Sequence, residues 1–307
     1  MMNERILLIK HGALGDIIQG FDAFESLRKG CPDAHISLLT TKPYEKLMKS
    51  SNWFDEVLID QRATAWNIFQ TLRLKSLLRM GWDKIIDLQC SKRTANYAKL
   101  VSKRTRWFGI APNATDFMSD FTGLTNRQRM LTAVCMAGAT EIEPDLSFLT
   151  SFGFVSSTSG LKHPYALILP SSSEAGKLRR WPIENFVKTA EALKSNGFQP
   201  VLSGTESDRP ITSAIATECS ECLDLTGPPN LFLLAELALG SSLVIGNNTG
   251  PVFLAARLNV PTLMLMGADT DTSMSAPYGK KARWIQKDWL EKLSFEEVWE
   301  TVKLALE

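Results

Sequence analysis

The strongest constraint on the fold is a regular alternation of short apolar runs with helical patterns, which the chain contains twice. Runs such as RILLIK and HISLLT in the first half, and YALILP and LVIGN in the second, are each followed by a helical pattern. Alternation of this kind predicts βαβ units and a mostly parallel sheet. Between the two successions lies a stretch rich in Ser and Gly, residues 151–163, which is typical of a linker.

We therefore predict an α/β protein of two Rossmann-like doubly wound domains, residues 1–155 and 156–307, which face each other across a cleft. A ligand is then expected at the carboxyl ends of the strands of both sheets. The final helical pattern, Ser294–Leu306, has no obvious place in the second succession. We expect this helix to pack on the first domain.

The composition is that of an ordinary soluble protein, since 44% of the 307 residues are hydrophobic and 22% are charged. The first residues run directly into a strand pattern without a signal sequence, and no apolar run approaches the roughly 20 residues of a membrane span. We therefore expect a cytoplasmic protein with reduced thiols. Of its five cysteines, Cys219 and Cys222 form a single CxxC without a second pair, which disfavours a zinc or redox site.

The first apolar run leads into a glycine-spaced turn, Gly12-Ala13-Leu14-Gly15, and then into a helical pattern. Such a turn often binds phosphate, because unpaired N–H groups at a helix start attract anions. The next residue, however, is Asp16, whose carboxylate would repel a phosphate. We interpret Asp16 as a general base. The alternative is a helix N-cap, a position at which Asp is favoured.

The second half carries a related turn without the acid. After LVIGN, the residues Asn248-Thr249-Gly250-Pro251 open a helical pattern, with Pro where its missing N–H is harmless. Side-chain and backbone donors make this a neutral helix start that suits a phosphate. The loop after YALILP adds cations at the same sheet edge: Lys177, Arg179 and Arg180. The sequence thus predicts a base in one half and an anion site in the other.

Positive charge is concentrated between Gln61 and Arg106, where 11 basic residues stand against the two acids Asp83 and Asp87. The basic residues are Arg62, Arg73, Lys75, Arg79, Lys84, Lys92, Arg93, Lys99, Lys103, Arg104 and Arg106. They indicate either solvated helix faces or a surface for an anionic partner. Interleaved with them at near-helical spacing are apolar residues: Trp66, Phe69, Leu72, Leu77 and Met80. These indicate either a core-facing stripe or a face that rests on a membrane.

Three stretches resemble one family: GxxGD at the first turn, the basic loop containing RRWP, and GNNTGPVFLAARLNVPTLMLMG, which is the most specific. They are similar to the lipopolysaccharide heptosyltransferases, family nine of the glycosyltransferases, and the resemblance spans most of the chain. It implies a GT-B fold and an inverting, metal-independent transfer of a sugar from a nucleotide diphosphate donor, typically ADP-heptose. The implied acceptor is an anionic glycolipid of the lipopolysaccharide type. The resemblance implies no separate cofactor and no nucleic-acid partner, and it is compatible with peripheral contact with the inner face of the inner membrane.

The site residues follow from matching this family. Asp16 matches its catalytic carboxylate, Arg179 matches a basic residue of its phosphate loop, and Asp208 matches approximately an acid near the donor ribose. The residues are assigned to the donor phosphates (Lys177, Arg179, Asn248, Thr249, Gly250), to the donor ribose or sugar (Asp208, Asn247) and to the acceptor side (His11, Gly15, Lys92, Arg93). For His11 a local structural role is the alternative.

Two positions depart from the family pattern D-T-G-P-x-H, because this chain has Asn248 and Phe253 in place of the acid and the imidazole. These departures leave the donor sugar open. Asp269-Thr270-Asp271 is a DxD, the metal–diphosphate signature of the other large glycosyltransferase fold, but it matches the GxTD loop of this family and we expect no metal there. Two alternatives stay open: another nucleotide-sugar enzyme of this architecture, such as an epimerase, and a non-catalytic nucleotide-sugar binding protein.

Overall fold

The computed structural model describes residues 3–62, 67–118, 122–171 and 180–306. The chain divides into two compact units, Met1–Phe148 and Leu149–Glu307. This division lies close to the boundary expected after residue 155. Each unit contains one six-stranded parallel sheet with helices, which is the α/β architecture that the alternating pattern predicts.

The strands of the first unit are β1 (Arg5–Ile9), β2 (His35–Thr40), β3 (Glu56–Ile59), β4 (Lys84–Asp87), β5 (Arg106–Gly109) and β6 (Asp116–Phe117). They pair in the order β3-β2-β1-β4-β5-β6, and every pair is parallel. The chain changes direction across the sheet between β1 and β4, where Ile9 lies opposite Asp87. The loops that follow these two strands therefore flank a crevice at the carboxyl edge.

The helices of the first unit are α1 (Leu14–Gln19), α2 (Phe21–Gly30), α3 (Glu45–Ser50), α4 (Ile68–Leu78), α5 (Lys92–Tyr97) and α6 (Asn126–Met136). The helical pattern that follows the glycine-spaced turn is divided into α1 and α2 at Gly20, where a Cβ would lie 2.7 Å from the Phe24 ring. Side chains cap three of the helices, because Asn67, Ser91 and Thr125 accept N–H groups at the starts of α4, α5 and α6.

The strands of the second unit are β7 (Tyr165–Leu169), β8 (Gln199–Leu202), β9 (Leu223–Asp224), β10 (Leu243–Asn247), β11 (Thr262–Gly267) and β12 (Ala282–Lys287). Their order, β9-β8-β7-β10-β11-β12, repeats that of the first sheet, again with parallel pairs. At the switch point Gly246 approaches β7 so closely that a Cβ would lie 2.5 Å from the carbonyl oxygen of Leu169. Only glycine fits this contact between the two central strands.

The helices of the second unit are α7 (Ile183–Ser195), α8 (Arg209–Glu218), α9 (Leu231–Gly240), α10 (Gly250–Arg257), α11 (Thr272–Ser275) and α12 (Phe295–Leu306). The last of these, α12, contributes to the core of its own unit. The buried residues of α12, Val298 and Val302, belong to the apolar core of the second unit, together with Leu243 of β10 and Leu263 of β11. This helix therefore completes the apolar core of the second unit. Among the described residues, no helix combines the length and apolar content that crossing a bilayer requires.

Candidate active site

The turn after β1 requires a glycine at its first position. Gly12 has φ +79°, in the left-handed region, and a Cβ there would lie 2.7 Å from Cγ1 of Ile17 and 3.0 Å from Cε2 of Tyr44. Helix α1 then begins at Leu14, with Ala13 as its N-cap. The glycine allows the chain to leave the strand and enter the helix within a few residues.

Asp16 is the third residue of α1, not its N-cap. Its Oδ2 accepts a hydrogen bond from the N–H of Ala13 at 3.2 Å, and the residue is half-buried. The start of a helix favours a negative charge, so this position suits an ionised carboxylate. One carboxylate oxygen is thus held by the turn, which orients the side chain.

Asp16 lines a cavity of about 160 Å³ at the switch point of the first sheet. The residues of its wall are Lys10, Asp16, Asp87, Leu88, Gln89, Cys90, Met118, Asn126, Arg129, Met130 and Ala133. They come from the ends of β1 and β4, from α1, from the end of β6 and from α6. The cavity therefore brings the proposed base together with two cations, Lys10 and Arg129, at the edge where a doubly wound sheet binds its ligand.

Lys10 is a site residue that the sequence analysis missed. It ends the run RILLIK, directly before the turn, and it is only 6% exposed. Burial lowers the pKa of Lys10, whereas the charge of Asp16 acts to raise it. A lysine that ends an otherwise apolar strand at the carboxyl edge is the signal that would have identified it.

Gln89 fastens the turn to the neighbouring strand. Its Oε1 accepts hydrogen bonds from the N–H groups of His11 at 3.0 Å and of Gly12 at 3.3 Å. Asp87, fully buried at the end of β4, accepts the N–H groups of Gln89 and Cys90 on Oδ1, each at 3.0 Å. These bonds connect β4 to the turn that carries Asp16.

His11, which the sequence assigns to the acceptor side with a structural role as the alternative, lies in a buried cluster. It is 2% exposed, and its Nε2 lies 3.1 Å from Oδ2 of Asp60, to which the hydroxyl of Tyr97 also donates at 2.7 Å. Burial acts to raise the pKa of Asp60, but hydrogen bonds from His11 and Tyr97 outweigh it and lower the pKa to about 2. We therefore assign His11 to a buried cluster that joins β1, β3 and α5.

The other residues expected on the acceptor side lie near this edge but apart from the wall of the cavity. Gly15 is within α1, where its carbonyl accepts Nε2 of Gln19 at 3.3 Å. Lys92 is exposed at the start of α5. Arg93 lines a separate groove with Asp60 and with residues of α4.

In the second unit, Asn247, which the sequence assigns to the donor, holds two parts of the protein together. The residue is fully buried. Its Oδ1 accepts the N–H of Trp181 at 3.1 Å, and its Nδ2 donates to the carbonyl of Pro170 at 2.6 Å. Both ends of the loop between β7 and α7 are therefore tied to the end of β10.

The turn after this strand carries the remaining donor residues. Nδ2 of Asn248 donates to Oγ1 of Thr270 at 2.7 Å, and the hydroxyl of Thr249 donates to the carbonyl of Asn247 at 3.2 Å. Gly250 begins α10, with Thr249 as its N-cap. All three residues that the sequence assigned to this anion site are half-buried at the carboxyl edge. Lys177 and Arg179 lie outside the described residues.

Asp208 closes the short turn Glu206–Asp208 that precedes α8. Its Oδ2 accepts the N–H and the hydroxyl of Thr205, each at 2.7 Å. The loop lies after β8, at the same sheet edge as the start of α10. Asp208 is thus held in place by the loop it closes.

The DxD residues also include a cap, since Oδ1 of Asp271 accepts the N–H and the hydroxyl of Ser273 at the start of α11. Within the part of the chain that the structure describes, no three His, Cys, Asp or Glu side chains are grouped to hold a metal ion. Cys219 and Cys222 are free thiols. Burial raises the pKa of Cys222.

The chain is similar to known glycosyltransferases. The model described as glycosyltransferase family 9 (heptosyltransferase) matches residues 125–301. Lipooligosaccharide heptosyltransferase 2 of Haemophilus influenzae is 24% identical over 308 residues, which cover 92% of this chain and 88% of that protein.

Solved structures share the fold over nearly the whole chain. A glycosyl transferase of family 9 from Veillonella parvula superposes with a TM-score of 0.81 at 21% identity, covering 99% of this chain and 97% of its own. The E. coli heptosyltransferase WaaC with ADP superposes with a TM-score of 0.79 at 16% identity, covering 98% and 99%. The chain therefore has the GT-B fold of these proteins.

Proposed function

Since the chain belongs to glycosyltransferase family 9 (heptosyltransferase), we propose that it transfers a heptose from ADP-heptose, with inversion, to an anionic glycolipid of the lipopolysaccharide type. The observation that carries the proposal is the position of Asp16, whose carboxylate lines a cavity at the switch point of the first sheet. A carboxylate held at this point is suited to take a proton from a bound hydroxyl.

The reaction we propose is a direct displacement. Asp16 accepts the proton of the acceptor hydroxyl as its oxygen attacks the anomeric carbon from the face opposite the diphosphate. The bond from that carbon to the diphosphate breaks, ADP leaves with the electron pair, and the configuration at the carbon is inverted. Lys10, in the wall of the same cavity, balances the charge of Asp16.

We assign the donor to the second unit. The start of α10, with Asn248, Thr249 and Gly250, presents donors suited to the diphosphate. Lys177 and Arg179 of the adjoining loop supply positive charge, and this charge takes the place of a metal ion during departure of ADP. The choice of adenine as the base is supported by the family and by the ADP in the WaaC structure. Asp208, after β8, remains our candidate for contact with the donor ribose.

The acceptor is assigned to the first unit. Its anionic character suits the basic residues between Gln61 and Arg106, of which Lys92 and Arg93 begin α5 near the carboxyl edge. A glycolipid acceptor is anchored in a membrane. We therefore place the reaction in the cytoplasm, at the inner face of the inner membrane.

The direct test is Asp16→Asn. We expect release of ADP from ADP-heptose in the presence of a deacylated lipopolysaccharide-core acceptor to fall by about two to four powers of ten, because the general base is lost. The thermal shift that ADP produces should persist, since the diphosphate binds in the other unit. Asp33→Asn, at an exposed acid of the same unit, is the matched control and should turn over like the parent.

Two results would count against the mechanism. Turnover of Asp16→Asn near the parent rate would show that Asp16 is not the general base and that its role is the structural one of accepting the N–H of Ala13. A parent protein that is stabilised by ADP but neither transfers heptose nor hydrolyses ADP-heptose would indicate a binding protein instead.

A further inference from the structure

Helix α4 has two apolar sides, although a helix on the surface of a sheet needs only one. Its buried side consists of Leu78 and the partly buried Leu74 and Leu77, which pack on the core beneath. The opposite side exposes Ile68 by 67%, Phe69 by 87% and Leu72 by 56%. The outward face of such a helix is normally polar. The apolar residues between Gln61 and Arg106 thus include both a core stripe and an uncovered patch.

The surroundings of this patch are basic. Arg62, Arg73 and Arg79 are exposed, and Lys75 is half-buried on the same helix. Of the two acids between Gln61 and Arg106, Asp87 is fully buried, so the exposed Asp83 is the one acid of that stretch that faces solvent among several exposed cations. The face of α4 therefore combines exposed apolar side chains with an excess of cations.

The patch also lies at the functional edge of the first unit. A groove lined by Asp60 at the end of β3 and by Gln70 and Arg73 of α4 places the first turns of the helix beside the carboxyl end of that strand. The turn that carries Asp16 follows β1 at the same edge. A surface that rests on α4 therefore adjoins the side of the unit to which we assign the acceptor.

We propose that α4 docks this protein on an anionic lipid bilayer. Ile68, Phe69 and Leu72 enter the boundary between headgroups and acyl chains, while the basic residues around them contact lipid phosphates. A second copy of the chain fits this face poorly, since it would bring like charges together. This proposal rests on the proposed function in one respect, which is that docking brings Asp16 to a lipid-anchored acceptor. The test of docking measures vesicle binding and does not require heptose transfer.

The test is sedimentation of the full chain with vesicles of phosphatidylcholine, with and without phosphatidylglycerol. We expect binding to the vesicles with phosphatidylglycerol, and weaker binding at high salt. Phe69→Ser should weaken it roughly tenfold or more, the effect of removing one large apolar side chain from the boundary. Lys75→Gln should weaken it about fivefold, the effect of one lost cation near an anionic surface. Leu239→Ser, at a residue of α9 that is 52% exposed, is the matched control and should bind like the parent.

Each other result overturns the proposal. These results are equal binding of the parent chain to vesicles with and without phosphatidylglycerol, binding of Phe69→Ser at the parent level, and a loss of binding in Leu239→Ser as large as that in Phe69→Ser. A change of oligomeric state in Phe69→Ser, measured by analytical ultracentrifugation without any change in vesicle binding, would assign the patch to self-association. An unaltered thermal melt of Phe69→Ser establishes that it is folded. Vesicle binding without heptose transfer would refute only the proposed function.

Discussion

The carboxyl group of Asp87 shows how strongly a single residue can respond to its place in the fold. It is fully buried, and burial raises its pKa to about 6, more than its hydrogen bonds with Thr94 and with the N–H groups of Cys90 and Gln89 lower it. The folded protein therefore holds this proton more tightly than the unfolded chain, in which the pKa is 3.8. The protonated Asp87 therefore contributes its full stability below pH 3.8, the pKa in the unfolded chain, and this contribution is lost as the pH rises through about 6, the pKa in the folded protein.

We expect Asp87→Asn to gain stability relative to the parent between about pH 4 and about pH 7. The amide oxygen still accepts both N–H groups but never carries a charge. A difference of about two pKa units corresponds to a change of about 3 kcal/mol across this range. Urea unfolding of both proteins over the range measures it, with Asp33→Asn as the exposed control. A difference in unfolding free energy that does not change with pH would refute the raised pKa.

For single residues, the sequence indicates which side chains are candidates for the site better than it indicates what surrounds each of them in the fold. Asp16 stands out because an acid follows a glycine-spaced turn, and the structure places it in a cavity. The sequence does not show that the His11 side chain points toward Asp60, because Asp60 lies 49 positions away, at the end of another strand. Lys10 is hidden for a similar reason, since its burial depends on what β4 and α6 place around it.

Among the elements, the loop between β7 and α7 illustrates how a strand end can shape a site without contacting a ligand. Asn247 holds Pro170 before the loop and Trp181 after it. Trp181 is in turn fixed by its Nε1, which donates to the carbonyl of Leu293 at 2.8 Å. The loop with the predicted phosphate-binding cations is thus anchored at both of its described ends.

Asn247→Ala should therefore lower the free energy of unfolding by about 2–3 kcal/mol, because it leaves two buried backbone groups without partners. It should also weaken ADP binding, since the ends of the loop are released. Chemical denaturation and calorimetric titration with ADP measure the two effects. Asn196→Ala, at an exposed asparagine after α7, is the control. Loss of stability with unchanged ADP affinity would show that the clamp serves the fold alone.

Strands that read as continuous apolar runs are predicted well from the sequence, and strands without such runs are not. The runs for β1, β2, β7 and β10 are buried along nearly all of their length, which makes them plain in the sequence. Two of the four edge strands were missed: β6 has two residues, and β12 is largely exposed. An edge strand buries little, so its composition resembles that of a loop.

For the whole molecule, the strand order repeated in the two sheets explains why the double succession in the sequence predicts the architecture so directly. Each half reads as one doubly wound unit because each buries its own core. The place of α12 was not predictable in this way, because its apolar face fits any core of suitable shape. The packing of Val298 and Val302 shows that α12 belongs to the core of the second unit.

The whole protein offers a test of the donor. In a thermal-shift screen of ADP, UDP, GDP and CMP, we expect ADP to stabilise the protein, by about 2.7 kcal/mol at a concentration of one hundred times Kd. Arg179→Ala and Lys177→Ala should reduce the shift, because each removes a charge-assisted phosphate contact. A chelator should change neither the shift nor the transfer rate. Loss of transfer with chelator, and recovery with Mg²⁺ or Mn²⁺, would refute metal independence and implicate Asp269 and Asp271.

The separate cores of the two units bear on how new transferases can be engineered from this chain. Since α12 belongs to the second core, residues 149–307 form a cassette that keeps its own apolar interior when it is exchanged with that of a relative. A chimera joined after Phe148 would keep both cores. Under the proposed assignment of the donor to the second unit and the acceptor to the first, it would also recombine donor choice and acceptor choice. A junction that leaves α12 behind would instead expose Val298, Val302 and their neighbours to water, and the exchanged unit would aggregate.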